Sequence, residues 1–369
     1  MSFGRRFRIL TALFVSVVAF SLAASSEGRI PIGAPVTLDA TAGAAIVGKY
    51  IVTQNLTAST SADSRVIQVT GTGVEDVDVD LNGFTLTGGR GGSPVEAIRA
   101  TNLRSLTIRN GTIKLSSPAN GLWVENTRNV IIEDVKFGGA SIAVRVQSLG
   151  TFALRRNVIS GGSGGFWVDG SATASSVRGV IEDNIVENVS GRGIYIFANN
   201  APVVIRGNVV DHSGFRGVEI VQGAGFLITE NTIRNSGSQG IYADSPSGGK
   251  VVGNVVVSSG DDGIAFVGGG GCLILENTSN FNTKSGLNVQ SNTNYVDGNI
   301  LNSNGGAGLI FSGSIDNVFG RNMARSNSGT GIPSCASGSG GLLPPNYCNS
   351  GGSSNSSEGG NMMPGPPAS

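Results

Sequence analysis

Hydrophobic and polar positions alternate one by one along most of the chain, most regularly between residues 180 and 332. In residues 193–196 (Gly-Ile-Tyr-Ile) and 217–220 (Gly-Val-Glu-Ile), aliphatic residues recur at every second position. This is the spacing of a β-strand with one buried face, and no segment after residue 30 shows the 3.6-residue spacing of an amphipathic helix. The pattern predicts an all-β protein.

The strands recur with a fixed period. Asparagines separated by 24, 23, 23, 23, 22 and 23 residues mark it: Asn184, Asn208, Asn231, Asn254, Asn277, Asn299 and Asn322. A glycine follows nine residues after each: Gly193, Gly217, Gly240, Gly263, Gly286, Gly308 and Gly331. A period of this length is typical of a solenoid, in which each repeat buries its apolar face by stacking on its neighbours.

A coil of about 23 residues has room for three short strands and three turns, which predicts that each strand pairs with its counterpart in the next coil ~4.8 Å away. The repeated asparagines then form a ladder of side-chain amides at one bend. Upstream, Asn82, Asn110, Asp134 and Asn157 are predicted to continue this ladder.

The repeat resembles a known family. The segment Asn231-Thr232-Ile233 through Ile241, and residues 79–86 (Val-Asp-Leu-Asn-Gly-Phe-Thr-Leu), are similar to coils of the right-handed parallel β-helix (pectin-lyase-like) superfamily in its exported bacterial members. The resemblance covers roughly residues 45–332 and implies the fold. It does not choose among lyases, hydrolases, epimerases, phage spikes and scaffolds, all of which share this architecture.

Four segments follow from these patterns. Residues 1–24 resemble a secretion signal, with Arg5, Arg6 and Arg8 before an apolar run that is shorter than the ~20 residues a membrane span needs. Residues 25–65 are predicted to cap the solenoid, residues 66–332 to form about eleven coils, and residues 333–369 to form a C-terminal cap and low-complexity tail. The protein is therefore expected to be secreted, periplasmic or at the cell surface.

Charge and cysteine content bear on possible binding partners, on disulfide formation and on metal binding. The chain has 25 basic and 25 acidic residues, which gives no reason to expect a nucleic-acid or membrane partner after signal cleavage. In an exported protein, Cys335 and Cys348 are predicted to form a disulfide, and Cys272 to fill the core. No cofactor or metal is predicted, since the carboxylates of Asp169, Glu219 and Asp244 are scattered.

Any chemistry must lie on outward-facing positions. The column after the repeat glycine is rich in aromatic residues: Trp123, Ala143, Trp167, Tyr195, Glu219, Tyr242, Ala265, Asn288 and Ile310. Exposed rings on one sheet suit the apolar faces of sugars, although such rings also serve simply to cover a sheet.

A polar strip is predicted beside these rings. Arg192, Arg216, Gln239 and Lys284 lie next to Tyr195, Glu219 and Tyr242 in the repeat. Guanidinium groups bind carboxylates, so the strip suits an acidic polysaccharide. The alternative is a solvated edge of turn-forming residues.

Two motifs suggest catalysis. Asp261-Asp262 within Gly-Asp-Asp-Gly-Ile resembles the paired aspartates of polygalacturonases, which implies inverting hydrolysis, although no Gly-His-Gly or Arg-Ile-Lys motif follows. His212 follows Asp211, a fragment of the Asp-Pro-His-Asp motif of mannuronan epimerases, and implies proton abstraction from a uronate.

These observations predict an exported β-helix protein that binds or processes an extracellular or cell-envelope polysaccharide, with a uronate-containing polymer as the finer prediction. If the protein is an enzyme, it is a polysaccharide hydrolase, lyase or epimerase. The alternative is a non-catalytic carbohydrate-binding, adhesin or scaffold protein, and the sequence leaves the two open.

Overall fold

The described part of the chain in the computed structural model consists of β-strands that wind in one direction, with every strand pair parallel. It comprises residues 28–40, 46, 48–58, 65–88, 96–115, 119–170, 178–198, 201–329, 346–349, 355–359 and 361. Strands of successive coils pair in register to form three sheets, and no α-helix occurs in these residues. The predicted parallel β-helix is confirmed.

Sheet 1 contains the strands that follow the repeat glycine. They are β2 (Val36–Asp39), β5 (Ile67–Thr70), β8 (Glu96–Thr101), the first parts of β10 (Asn120–Gly138) and β11 (Ile142–Arg155), β13 (Gly164–Asp169), β16 (Ile194–Phe197), β19 (Val218–Val221), β22 (Ile241–Asp244), β25 (Ile264–Gly270), β28 (Leu287–Asn292), β30 (Leu309–Phe311) and β32 (Tyr347–Asn349).

Sheet 2 comes next along each coil. Its strands are β1 (Ile30–Ile32), β3 (Gly48–Val52), β6 (Asp76–Asp80), the start of β9 (Ser105–Leu115), the middle of β10, the end of β11, β14 (Arg178–Glu182), β17 (Val203–Arg206), β20 (Leu227–Thr229), β23 (Lys250–Val252), β26 (Leu273–Leu275), β29 (Tyr295–Asp297), β31 (Val318–Gly320) and β33 (Ser356–Gly359).

Sheet 3 closes the coil after the repeat asparagine. It contains β4 (Leu56–Thr57), β7 (Thr85–Gly88), the ends of β9 and β10, β12 (Val158–Ser160), β15 (Ile185–Val189), β18 (Val209–Ser213), β21 (Thr232–Arg234), β24 (Val255–Val257) and β27 (Thr278–Asn280). Single bridges at Ile300 and Met323 continue it.

The coil number agrees with the sequence period. Within residues 66–332, sheet 1 contains eleven strands, from β5 to β30, as predicted from the repeat. The strands before this segment, β1 to β4, pair in parallel with the first coils, and β32 and β33 pair with β30 and β31. Residues 1–24, predicted as a signal, lie outside the described residues.

The core is a set of aliphatic columns inside the helix. The residues after the repeat glycines stack in register and are fully buried: Ile194, Val218, Ile241, Ile264, Leu287 and Leu309. Each buried side chain of this size contributes about 1.5–3 kcal/mol of transfer free energy.

The repeat glycines are required by close packing between coils. A Cβ atom on Gly217 would lie 2.4 Å from Ile233 Cγ2 and 2.7 Å from the Gly240 carbonyl oxygen. Gly240 and Gly263 have equally close neighbours, and none of the three has a positive φ. The glycine therefore recurs because the bend has no space for a side chain.

A buried asparagine ladder joins the bends between sheets 2 and 3. From Asn157 to Asn322, the side-chain Nδ2 of each asparagine donates to Oδ1 of the next asparagine at 2.9–3.0 Å. The same Oδ1 accepts from the backbone N–H of the preceding asparagine at 2.8–3.0 Å. The predicted ladder is confirmed over these coils.

Two more ladders begin in the later coils. Asn282, Asn304, Asn327 and Asn346 bond in the same way between sheets 3 and 1. Asn294, Asn317 and Asn355 do so between sheets 1 and 2. All three bends of the C-terminal coils therefore contain amide ladders.

The upstream extension of the first ladder was predicted wrongly. The φ angles are positive at three of the predicted positions: Asn82 (53°), Asn110 (58°) and Asp134 (56°). Positive φ angles also occur at Arg156 (51°) and Asp183 (57°), which immediately precede ladder asparagines. Asn and Asp tolerate this left-handed conformation better than other residues. The ladder position next to Asp134 is instead the buried Val135, whose backbone N–H donates to Asn157 Oδ1 at 3.1 Å.

The cysteines are divided between core and terminus. Cys272 is a buried free thiol whose pKa is raised by burial, in agreement with a core-filling role. Cys348 is disulfide-bonded. Its predicted partner, Cys335, lies outside the described residues.

We expect Asn231→Ala to lower the free energy of unfolding by about 2–4 kcal/mol, because it leaves buried polar groups unpaired. Asn208 would lose the acceptor of both its backbone N–H and its Nδ2, each at 2.9 Å from Asn231 Oδ1. Urea and thermal denaturation measure the loss.

The matched control is Asn129→Ala. Asn129 is an exposed asparagine in sheet 2 that accepts one hydrogen bond, from Thr151 Oγ1 at 2.8 Å. A change within about 0.5 kcal/mol is expected there. Equal destabilisation of both variants would contradict the role assigned to the ladder.

The turn after β5 contains a buried carboxylate with an unusual pKa. Burial alone would raise the pKa of Glu75, but hydrogen bonds from the Thr72 hydroxyl and from the backbone N–H groups of Thr72, Gly73 and Val74 outweigh it. They lower the pKa to about 2 from 4.5.

Because the folded-state pKa is lowered, the stabilisation by Glu75 is complete above pH 4.5 and is lost as the pH falls towards 2. We expect Glu75→Gln to cost about 2–3 kcal/mol at pH 7 and progressively less below pH 4. Denaturation of both proteins between pH 2.5 and 7 measures this difference. A pH-independent difference would contradict the assignment.

Candidate functional site

The predicted site residues that follow the repeat glycine lie on the outer face of sheet 1. Their strand register gives one continuous column, which we call the outer column: Arg99, Trp123, Arg145, Trp167, Tyr195, Glu219, Tyr242, Ala265, Asn288 and Ile310. The residues along it are separated by one strand spacing each.

One member was predicted wrongly. Ala143 is fully buried, and its strand register places it level with Gly121 and Gly165, so it occupies the glycine position itself. Arg145, two residues further along the same strand, faces outward between Trp123 and Trp167. The sequence analysis did not include Arg145 and Arg99 in this column. Each directly follows a buried residue, Val144 or Ile98, and this alternation would have placed both on the outer face.

Guanidinium groups and aromatic rings alternate along this face. The Arg99 and Arg145 guanidinium carbons lie 4.4 and 4.6 Å from the ring centre of Trp123. Further along, Arg192 lies 5.2 Å from Tyr195 and Arg216 lies 3.4 Å from Tyr242. Each contact contributes about 0.5–1 kcal/mol where it is partly exposed.

Trp167 and Tyr195 form the aromatic centre of the column. Their ring centres are 4.5 Å apart at an interplanar angle of 51°. Burial raises the pKa of the Tyr195 hydroxyl, and the nearby Glu219 and Asp169 carboxylates raise it further. The pKa of Tyr242 is also raised, mainly by burial. Both phenols therefore remain protonated at neutral pH and act as hydrogen-bond donors.

Glu219 is a buried carboxylate held between two arginines. Arg192 Nε donates to Glu219 Oε2, and Arg216 Nη1 donates to Oε1 at 2.6 Å. Arg216 Nε also donates to Gln239 Oε1 at 3.1 Å. The three charges predicted to meet in this strip are thus brought together, and the two guanidinium groups share a single carboxylate.

The network continues through the next two coils. Gln239 Nε2 donates to Asp261 Oδ2 at 3.0 Å, and Lys284 Nζ pairs with Asp261 Oδ1 at 2.8 Å. The hydrogen bond to Asp261 raises the pKa of Lys284. The predicted residues Arg192, Arg216, Glu219, Gln239 and Lys284 therefore belong to one polar chain at the edge of sheet 1.

The paired aspartates occupy different environments. Asp262 is buried, and burial raises its pKa, although Asn288 Nδ2 and the Ser285 backbone N–H each donate to it at 2.8 Å. Asp261 is the more exposed of the two. Two carboxyl groups whose environments differ in this way are a known arrangement for an acid and a base.

His212 lies apart from this site. It belongs to β18 in sheet 3, is exposed, and places Nδ1 2.7 Å from Asp211 Oδ1. The structure therefore does not place it on the sheet that contains Tyr195.

A cleft of about 250 Å³ adjoins the aromatic centre. It is lined by Ser141, Ile142, Ser163, Gly164, Gly165, Phe166, Trp167, Gly191 and Arg192. Trp167 and Arg192 both line this cleft, so it lies directly beside the aromatic centre.

The described residues contain neither a metal-binding cluster nor a membrane-spanning helix. No group of three or more His, Cys, Asp or Glu side chains is arranged to hold a metal ion there. In the same part of the chain, no helix has the length and apolarity to cross a membrane.

The fold and the sequence now identify the class of protein. The family model described as "Right handed beta helix region" matches residues 65–228 and 216–343, which is more than half of the chain. The protein therefore belongs to the right-handed β-helix family. No curated protein matches the sequence.

Solved structures agree on the fold. The A-module of Azotobacter vinelandii mannuronan C-5 epimerase AlgE6 is 14% identical over 88% of this chain and 93% of its own, with a TM-score of 0.54. The periplasmic alginate epimerase AlgG is 15% identical over 74% and 80%, with a TM-score of 0.52. Tailspike protein 3 of bacteriophage CBA120 is 11% identical over 82% and 57%, with a TM-score of 0.53. Identities this low show the fold alone.

We expect Glu219→Gln to cost about 3–5 kcal/mol, because it leaves two partly buried arginines without their carboxylate. Glu187→Gln is the control, since Glu187 lies in sheet 3 and forms no ion pair within the described residues. Chemical denaturation compares the two. A loss of similar size at both positions would contradict the network described above.

Proposed function

We propose that this protein binds a polysaccharide along the outer face of sheet 1, from Trp123 to Lys284. The observation that carries the proposal is the outer column itself, where half-buried rings and guanidinium groups lie in register over successive coils. A linear polymer with repeating units suits a linear array of this kind, because each unit meets a similar set of groups.

The chemistry of the site supports a sugar ligand. Aromatic side chains contact the apolar faces of sugar rings, while phenol hydroxyls and guanidinium groups bond sugar hydroxyls. The cleft beside Trp167 gives such a ring access to the aromatic centre. Proteins named as mannuronan or alginate epimerases and as a phage tailspike share the fold, which is consistent with a carbohydrate ligand.

We propose further that the protein acts outside the cytoplasm, on an extracellular or cell-envelope polymer. The N-terminal signal pattern and the cysteine pair predicted from the sequence support this location.

Hydrolysis is the second candidate function. It is favoured by the contrast between buried Asp262, whose pKa is raised, and the more exposed Asp261 beside Lys284. Against it, both Asp262 oxygens already accept hydrogen bonds within the fold. Binding therefore accounts for more of the site than catalysis does.

We expect Trp167→Ala to weaken polysaccharide binding about tenfold, because it removes the largest ring of the aromatic centre. Trp167→Phe keeps a ring and is expected to retain most of the affinity. Affinity electrophoresis against acidic and neutral polysaccharides measures binding, and assays of reducing ends and unsaturated uronates in the same mixtures detect turnover.

Phe281→Ala is the control, since Phe281 is an exposed aromatic residue outside the outer column. Its binding should equal that of the unchanged protein. Failure of the unchanged protein to bind any polymer would contradict the proposal. New reducing ends without unsaturated uronates, abolished by Asp261→Asn or Asp262→Asn, would establish the hydrolase instead, and unsaturated uronates abolished by His212→Ala would establish a lyase.

A further inference from the structure

Arg145 differs from the other basic residues of the sheet 1 face. Arg99 pairs with Glu96 and Glu125, Arg192 and Arg216 with Glu219, and Lys284 with Asp261. Arg145 forms no ion pair with any residue that the structure describes, and it is half-buried. A partly desolvated cation without a counter-charge is costly, so this position is prepared for an anion.

The groups around Arg145 are also unsatisfied. Arg145 Nε and the indole Nε1 atoms of Trp123 and Trp167 are buried without a hydrogen-bond partner in the described part of the molecule. These three N–H donors come from three consecutive coils of one column. Buried donors are normally paired, so these are N–H groups whose hydrogen bonds the described residues do not provide.

The position of the guanidinium group is fixed by the neighbouring ring. Arg145 lies 4.6 Å from the Trp123 ring centre, and Arg99 lies 4.4 Å from that centre. The indole therefore orients Arg145 before any ligand arrives, and a planar guanidinium group suits a carboxylate or a sulfate oxygen pair.

We infer that Arg145, between Trp123 and Trp167, is the subsite that selects anionic over neutral saccharides. This inference rests on the polysaccharide binding proposed above, and it assigns the charge selectivity of that binding to Arg145. Arg192 and Arg216 share the carboxylate of Glu219, and Lys284 pairs with Asp261, so each of these cations already has an anionic partner, whereas Arg145 has none among the described residues. The ligand is a glycan with carboxylate or sulfate groups.

A nucleic acid fits this face less well. Glu96, Glu125, Asp169, Glu219, Asp244 and Asp261 alternate with the basic residues on the same sheet or at its edge. Binding of a phosphate backbone requires a continuous row of basic residues. The Arg145 guanidinium group, which has no counter-charge among the described residues, suits a polymer whose charges are spaced apart.

The test compares polymers that differ only in charge. Polygalacturonate and its fully methyl-esterified form are one pair, and dextran sulfate and dextran are the other. We expect the unchanged protein to prefer the acidic member about tenfold, and Arg145→Gln to reduce that preference to about twofold or less. Arg145→Lys is expected to keep part of the preference, since it keeps the charge but loses the planar fork.

Arg234→Gln is the matched control and should preserve the preference, because Arg234 lies in sheet 3, away from the outer column, and pairs with Asp211. The pair of polymers that shows the preference distinguishes carboxylate from sulfate. Thermal denaturation of each variant verifies folding, and a variant that fails to fold is replaced by Arg145→Met, which keeps the length of the side chain.

Intrinsic fluorescence gives a second readout. The chain has two tryptophans, Trp123 and Trp167, and both flank Arg145, so their emission reports directly on this subsite. Trigalacturonate should change the emission of the unchanged protein and not that of Arg145→Gln.

The outcomes separate the inference from the proposed function. If the acidic preference survives in Arg145→Gln, or disappears equally in Arg234→Gln, the inference is wrong while polysaccharide binding stands. If the unchanged protein binds none of the four polymers, the proposed function fails as well. Binding of single-stranded DNA in preference to the acidic glycans would overturn the assignment of the ligand.

Discussion

The structure depends on the requirement that each coil place its polar bend groups directly over those of the next. The asparagine ladder meets this requirement without water, because each amide both donates to and accepts from its neighbours in the buried bend. The aliphatic columns alone would tolerate sliding or rotation of one coil on another. The ladder allows one register, and the register determines which side chains share the outer column.

That dependence explains how far the sequence could be interpreted. Buried asparagines and glycines have a strict spatial role, so their 22- to 24-residue spacing showed the coils and the ladder from Asn184 to Asn322. Asn82, Asn110 and Asp134 misled because asparagine and aspartate also suit a left-handed turn residue. Asparagine therefore occurs both at the ladder position and at the turn position directly before it, and spacing alone does not distinguish the two.

The site was predictable in outline and not in its electrostatics. Trp167, Tyr195, Glu219 and Tyr242 follow the repeat directly, and the structure places them in one column. Arg145 was hidden because alanine replaces glycine at position 143, so the column appeared to continue through the wrong residue. The pairing of both Arg192 and Arg216 with Glu219 depends on side-chain directions that a periodic pattern does not contain.

The ladder amides also share a direction. From Asn157 to Asn322, every Nδ2 donates towards the C-terminal end, so the amide dipoles add head to tail along the solenoid axis. Hydrogen bonds in such a row polarise one another, and each bond is stronger for having neighbours on both sides. The inner amides of this ladder are therefore held more tightly than those at its two ends, and separation of the ladder is expected to begin at an end and travel inward.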